Sequence, residues 1–316
     1  MNIVLLDRQT FSGAIQFPKP QMEDCRWREY PTTSPQQLIE RAAEAEVIIT
    51  NKVPVRAEAL AQLPRLRLIA VAATGVDHID LEAARARAVA VCNVSDYATQ
   101  SVAEHVFAML LALRRQLMHY HRAVHDGDWS RSPIFTLNDR AMADLAGATL
   151  GIIGAGTLGQ AVTRLGEAFG MGVRIAEHRG AEVIRAGRVS FDEVLRHSDV
   201  ISLHVPLNVN TRHLIGHAEL ALMKPTAVLI NTARGGIVDE VALAGALRSG
   251  LIGGACIDVL SQEPPPPDHP LLAVDIPNLL ITPHIAWASQ QAQQRLAQEV
   301  VMNIEAYFRG EQRNRI

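Results

Sequence analysis

The sequence predicts an α/β protein built from two doubly wound, parallel-sheet domains with a cleft between them. Three observations predict it. Apolar runs of three to five residues alternate with helical stretches, the pattern of parallel strands covered on both faces. That rhythm breaks once, between Asn93 and Leu150, and then starts again. The restart opens on Leu150-Gly151-Ile152-Ile153-Gly154-Ala155-Gly156-Thr157-Leu158-Gly159, an apolar strand that turns straight into a helix. At 316 residues the chain is also long for a single core.

The elements follow in order. Ile3 to Leu6 reads as a strand, Pro35 to Ala45 as a helix, and Val47 to Thr50 as the next strand. A helix over Arg56 to Gln62 leads to a strand at Leu68 to Ala72, then a helix at Leu81 to Ala88 and a strand at Val89 to Val91. A long helix is expected from Ser101 to His119, apolar over much of its surface, followed by a polar loop with Gly127, Trp129 and Pro133. Beyond it, strands are expected near 151–153, 173–176, 200–203, 228–231, 254–257 and 279–281, with a last helix from Ser289 to Phe308. Pro264 to Pro267 reads as a stiff surface loop. The resulting division is residues 1–98 plus 286–316 as a substrate domain of flavodoxin-like pattern, and 99–285 as a dinucleotide-binding domain.

The glycine spacing gives the second domain its chemistry. In G-x-G-x-x-G, Gly154 permits a tight turn, Gly156 leaves room for a pyrophosphate, and Gly159 lets helix and strand pack closely. The first-turn N–H groups of Thr157, Leu158 and Gly159 then face the phosphates at the positive end of the helix. The next strand ends at Glu177, an acidic residue placed to accept hydrogen bonds from an adenosine ribose. Both domains are therefore expected to be Rossmann-like. Glu177 should repel a 2′-phosphate and so favour NAD over NADP, although His178 and Arg179 beside it would attract one.

Composition narrows the class. Nearly half of the residues are apolar and a fifth are charged, as in a soluble globular protein. A net charge of −3 gives no reason to expect nucleic acid or an anionic membrane as a partner. The longest apolar stretch, Val102 to Leu113, contains Glu104 and His105 and cannot span a bilayer. Met1 to Leu6 has no basic flank or cleavage site. Cys25, Cys92 and Cys256 are isolated, which fits reduced thiols in the cytoplasm and excludes a cysteine zinc site. His121 and His125 lie four apart, but with no acidic or thiol partner at suitable spacing they read as solvated histidines, and no metal is expected. Phe107 and Met109 read as core or dimer contacts.

Three strand ends carry side chains that could do chemistry. Arg234 follows the strand at 228–231, Glu263 follows that at 254–257, and His284 follows that at 279–281. Taken singly, each has a bland reading: a surface arginine, a solvated loop acid, a satisfied buried imidazole. Together they deliver a cation, a carboxylate and a base to the edge of the sheet where ligands bind, a set suited to hydride transfer.

Over nearly its whole length the sequence resembles the D-isomer-specific 2-hydroxyacid dehydrogenases. The resemblance is carried by Gly151–Ala161, His204–His217, Leu229–Val241 and Gly253–Pro266, in the right order. It implies Arg234, Glu263 and His284 as catalytic residues, with His284 taking the hydroxyl proton, Glu263 fixing its tautomer and Arg234 holding the carboxylate. It also implies that Thr74-Gly75-Val76 grip that carboxylate through backbone N–H groups. Val205, Pro206, Thr211, Thr232 and Ala233 would line the nucleotide site, and Asp258 would reach the nicotinamide carboxamide. Trp287, in His284 to Ser289, resembles the pattern of glycerate dehydrogenases (hydroxypyruvate reductases) and would close a pocket for a small polar acid; glyoxylate would be a second substrate. The sequence departs from that pattern at Gln290 and at Gln100-Ser101. The helix before residue 119 and the Trp129 to Phe135 loop resemble the family's dimer surface, so a homodimer is expected. The alternative is an NAD(H)-sensing binding protein of corepressor type on the same scaffold, set aside because no disordered interaction tail is seen.

Overall fold

In the computed structural model, which describes residues 1–316, the apolar runs form two parallel sheets in two units. One comprises Met1–Ala98 with Trp287–Ile316, the other Thr99–Ala286. In the first unit the chain runs through β1 (Asn2–Leu5), β2 (Arg26–Glu29), α1 (Pro35–Ala42), β3 (Val47–Thr50), α2 (Ala57–Ala61), β4 (Leu68–Val71), α3 (Leu81–Ala86) and β5 (Ala90–Cys92). The sheet order is β2-β1-β3-β4-β5 and every pair is parallel. β3 and β4 are buried at every residue, which is why they lack polar alternation.

β2 is absent from the sequence expectation. Its residues, Arg-Trp-Arg-Glu, carry charges because it is an edge strand, exposed along most of its length, and such edges are kept polar. The order reverses between β1 and β3, and there Asp7 is buried with its carboxylate accepting the N–H groups of Asn51 and Lys52 at 3.0 and 2.7 Å. Burial pushes the Asp7 carboxyl above its usual range, while those N–H bonds pull it back.

The second unit opens with α4 (Thr99–Arg114) and α5 (Leu117–His125), where the sequence suggested one helix. Gln116 takes a left-handed conformation, φ 54°, and its N–H bonds to the Leu113 carbonyl at 3.1 Å, closing α4 with a tight turn. Apolar Leu117 and Met118 follow at once, so the hydrophobic pattern runs through a break that only the backbone reveals. Phe107 and Met109 are buried in the core of this unit; Phe107 stacks on Phe169 with ring centroids 5.1 Å apart.

After α6 (Asp128–Arg131) come β6 (Thr149–Ile153), α7 (Thr157–Ala168), β7 (Gly172–Ile175), α8 (Phe191–His197) and β8 (Val200–Leu203). They are followed by α9 (His217–Leu222), β9 (Val228–Asn231), α10 (Glu240–Arg248), β10 (Gly254–Ile257) and β11 (Leu279–Ile281). The sheet order is β11-β10-β9-β8-β6-β7, all parallel, so the order reverses at β6. In such sheets ligands bind outside the carboxyl ends of the strands at the reversal. α11 (Gln290–Phe308) belongs to the first unit, is capped by the Ser289 hydroxyl, and buries Leu296, Val300 and Ile304 against that unit's strands. No helix is long and apolar enough to cross a membrane.

Candidate active site

The glycine turn after β6 is built as its spacing requires. Gly154 has φ 99°, and a Cβ there would stand 2.5 Å from the His204 carbonyl oxygen. A Cβ on Gly159 would come within 2.0 Å of the Gly154 oxygen, so α7 can approach β6 only without side chains. Gly156, by contrast, faces open space. It is the N-cap of α7 with no side chain bonded to the helix end, which leaves the N–H groups of Thr157, Leu158 and Gly159 for an anion. Beside it lies a pocket of about 560 Å³ whose lining includes Gly154, Gly156, Glu177, Val205 and Thr211. The Thr211 hydroxyl donates to the Pro206 carbonyl at 2.6 Å and shapes the Val205-Pro206 rim. An open glycine, an uncapped helix end and a pocket of this size fit a dinucleotide.

Glu177 lies just beyond β7 in the lining of this pocket; it is 3% exposed, and its Oε2 accepts the Arg185 Nε at 2.7 Å.

Arg234, Glu263 and His284 all lie in the second unit, on the loops that follow the adjacent strands β9, β10 and β11. His284 Nδ1 lies 2.6 Å from Glu263 Oε2. The other carboxylate oxygen of Glu263 accepts the Leu260 N–H at 2.9 Å, so the acid is held at both ends. Glu240 braces the same loop: it accepts the Ser261 N–H and hydroxyl, both at 2.6 Å, and His269 Nε2 at 3.0 Å. His269 Nδ1 accepts the Leu271 N–H, so the proton of that ring is on Nε2 and donates to Glu240.

Arg234 leaves β9 through a turn in which the Asn231 side-chain amide donates to the Arg234 carbonyl at 2.9 Å. Asn231 Oδ1 in return accepts the Ala233 N–H. The Arg234 Nη1 donates to the Ala233 carbonyl at 2.7 Å. Thr232 is buried beside it. The next residue, Gly235, presses on the Leu260–Ser261 backbone so closely that a Cβ would sit 2.0 Å from the Leu260 carbonyl carbon and oxygen. The arginine loop and the glutamate loop are therefore in direct backbone contact.

Asp258 is 2% exposed and organises the histidine loop. Its carboxylate accepts the Thr282 hydroxyl at 2.5 Å and the N–H groups of Ile285 and Ala286, each at 2.9 Å, while its carbonyl accepts the His284 N–H at 2.8 Å. These bonds hold His284 at φ 55°, a left-handed conformation that costs a non-glycine residue about 1 kcal/mol or more. Because the Thr282 proton goes to Asp258, its oxygen accepts from His105 Nε2 at 3.0 Å, fixing that ring as a donor. The sequence reading has His105, on α4, only as a polar residue within an apolar stretch and gives it no part in the site.

The remaining candidates are in the first unit. The Thr74 hydroxyl donates to the Val94 carbonyl at 2.9 Å, the Asn93 amide donates to the Thr74 carbonyl at 2.8 Å, and the Val76 carbonyl accepts the Ile79 N–H at 2.8 Å. Gly75 lies in the turn these bonds shape. Trp287 meets Phe11 and Tyr97 edge-on, with centroids 6.2 and 6.3 Å away.

Residues 107–286 match the family model described as D-isomer specific 2-hydroxyacid dehydrogenase, NAD binding domain. The chain is 45% identical over 314 residues to the glycerate dehydrogenase of Methylorubrum extorquens, covering 99% of this chain and 98% of that one. It is 37% identical to the glyoxylate reductase of Aeropyrum pernix, covering 97% and 93%. Among solved structures, the D-lactate dehydrogenase of Aquifex aeolicus, complexed with NAD and lactic acid, superposes with a TM-score of 0.79 at 30% identity, covering 98% and 96%.

Proposed function

The chain belongs to the D-isomer specific 2-hydroxyacid dehydrogenase family, and on that premise we propose that it interconverts glycerate and hydroxypyruvate and also reduces glyoxylate. It is an NAD-dependent oxidoreductase, and the glycine turn, the bare end of α7 and the adjoining pocket fit that cofactor. Bound NAD supplies the hydride acceptor. His284 takes the hydroxyl proton of the substrate during oxidation and returns it during reduction. Glu263 keeps the proton of the neutral ring on Nδ1, leaving Nε2 for the substrate. Arg234 offers a planar fork of donors to the substrate carboxylate and to the oxygen that gains charge. The family resemblance also assigns substrate binding to the first unit's Thr74, Gly75 and Val76, through backbone N–H groups, and to Trp287.

One observation supports this most strongly, the 2.6 Å contact between His284 Nδ1 and Glu263. With NADH in solution, absorbance should fall fastest with hydroxypyruvate, more slowly with glyoxylate and slowest with pyruvate. A flat trace with all three would overturn the proposal.

The enzyme works as a homodimer in this proposal, joined through the face that carries α5 and α6. Leu117, Met118, Trp129, Ile134, Phe135 and Met142 are exposed there, Phe135 to 89%. Trp129 Nε1 donates to the Phe135 carbonyl, and the Tyr120 hydroxyl donates to that of Arg140, so the patch is ordered by its own bonds. Phe135→Asp should sediment as a monomer; a monomeric wild-type protein would refute the assignment. All three cysteines are unpaired, which supports placement in the reducing cytoplasm.

A further inference from the structure

A second glutamate–histidine pair, Glu240 with His269, shares the loop that carries Glu263. Glu240 opens α10, and an acid in a first turn is ordinarily explained by capping or by the helix dipole. Capping here falls to Asp239, whose carboxylate accepts the N–H groups of Val241 and Ala242 at 3.1 and 3.0 Å. The Glu240 carboxylate turns instead to the loop after β10. Oε1 accepts the Ser261 N–H at 2.6 Å, and Oε2 accepts the Ser261 hydroxyl at 2.6 Å and His269 Nε2 at 3.0 Å.

This pair is built to hold rather than to react. The side chains of His269 and Glu240 are only 7% and 12% exposed. Both ring nitrogens of His269 are taken, Nδ1 by the Leu271 N–H and Nε2 by Glu240, so neither is left for a substrate. What it holds is the turn from which Glu263 projects. Two consecutive amides of that turn go to two different glutamates: the Leu260 N–H to Glu263 at 2.9 Å, and the Ser261 N–H to Glu240 at 2.6 Å. Bonds to both the backbone and the hydroxyl of Ser261 fix its place and its orientation, and bonds to an ionised acceptor are the stronger kind. Glu263 follows two residues later (263 − 261). A shift of Ser261 therefore carries the Leu260 N–H and the Glu263 backbone with it, and disturbs the 2.6 Å contact with His284.

We propose that Glu240 is a positioning residue for the reaction: anchored by His269, it fixes Ser261 and thereby sets the carboxylate of Glu263 against His284. The proposal rests on Glu263 and His284 being the catalytic pair, but not on which 2-oxo acid is reduced. Glu240 also stands six residues after Arg234 (240 − 234), so the segment between β9 and α10 carries the arginine near one end and the brace at the other.

Single-turnover reduction of hydroxypyruvate by NADH bound to the whole protein tests this, because its rate constant follows the geometry of the site while its amplitude counts folded, loaded molecules. Glu240→Gln keeps the reach but turns one oxygen into a donor, which conflicts with the donor at His269 Nε2; the rate constant should fall about tenfold. Ser261→Ala deletes only the hydroxyl bond and should cost about threefold. In both variants NADH affinity and half-saturation by hydroxypyruvate should stay within about twofold of wild type. A brace that merely stabilises the fold would lower the amplitude and the melting temperature and leave the rate constant unchanged; that result in both variants would overturn the proposal. Should Glu240→Gln not fold, Ser261→Ala decides alone. A wild-type rate constant in Glu263→Gln would reject the catalytic pair and the proposal with it, whereas a slow Glu263→Gln beside wild-type rate constants in the other two variants would reject the brace alone.

Discussion

Gly235→Ala is expected to lower kcat/KM at least about a hundredfold while NADH affinity stays within a few fold. The added Cβ would meet the Leu260 carbonyl carbon and oxygen at 2.0 Å and the Ser261 nitrogen at 2.4 Å. All three are backbone atoms, so no rotamer change relieves the clash. One loop must move, and the two loops in contact are those that carry Arg234 and Glu263. Glu263 depends on the Leu260 N–H for its placement and in turn places His284. A misplacement of about 1 Å in a catalytic group costs on the order of a hundredfold in rate, and overpacking of this kind costs about 1–3 kcal/mol in stability. The glycine turn and the nucleotide pocket have linings that exclude Gly235. A melting curve and a calorimetric NADH titration therefore separate loss of geometry from loss of fold. Wild-type turnover in this variant would show that the two loops are not held in register by their contact.

Much of this fold is legible in the sequence because buried parallel strands announce themselves locally. Ten of the eleven strands coincide with apolar runs such as Val47–Thr50 and Val228–Asn231. The exception, Arg26–Glu29, is charged because it borders solvent, and nothing in its own residues says it pairs with Asn2–Leu5. The break at Gln116 was hidden for a related reason. Apolar spacing continues across it, whereas a reversal of φ leaves no mark in hydrophobic periodicity. The chemistry-bearing strand ends were legible through their order along the sheet: adjacent loops carry Arg234, Glu263 and His284. What supports them was not. His105 meets Thr282 across 177 residues, and Arg185 meets Glu177 within an irregular segment where no periodicity applies. Ion pairs and hydroxyl relays depend on where side chains end up in space, and sequence spacing carries that information only inside regular elements. The left-handed His284 is a further case, since its strain is sustained by Asp258, which lies 26 residues earlier (284 − 258).

The second large effect concerns His284 itself. His284→Gln keeps a side chain of similar reach and leaves the Asp258 bonds to the loop backbone in place. It removes the ring nitrogen that exchanges a proton with the substrate. General acid–base catalysis by a positioned group contributes about 10²–10⁴ in rate, and kcat should fall by that factor. Since nothing in the glycine turn changes, NADH should bind as before. Glu263→Gln should fall on the same scale, because an amide oriented by the Leu260 N–H can no longer fix the Nδ1 proton as a carboxylate does.

Single-turnover reduction of hydroxypyruvate by NADH already bound to the protein isolates that step from product release. The account predicts a hydride-transfer rate in His284→Gln slower than wild type by about 10²–10⁴ at unchanged NADH affinity. Equal single-turnover rates in the two proteins would contradict it and remove the imidazole at position 284 from the chemistry.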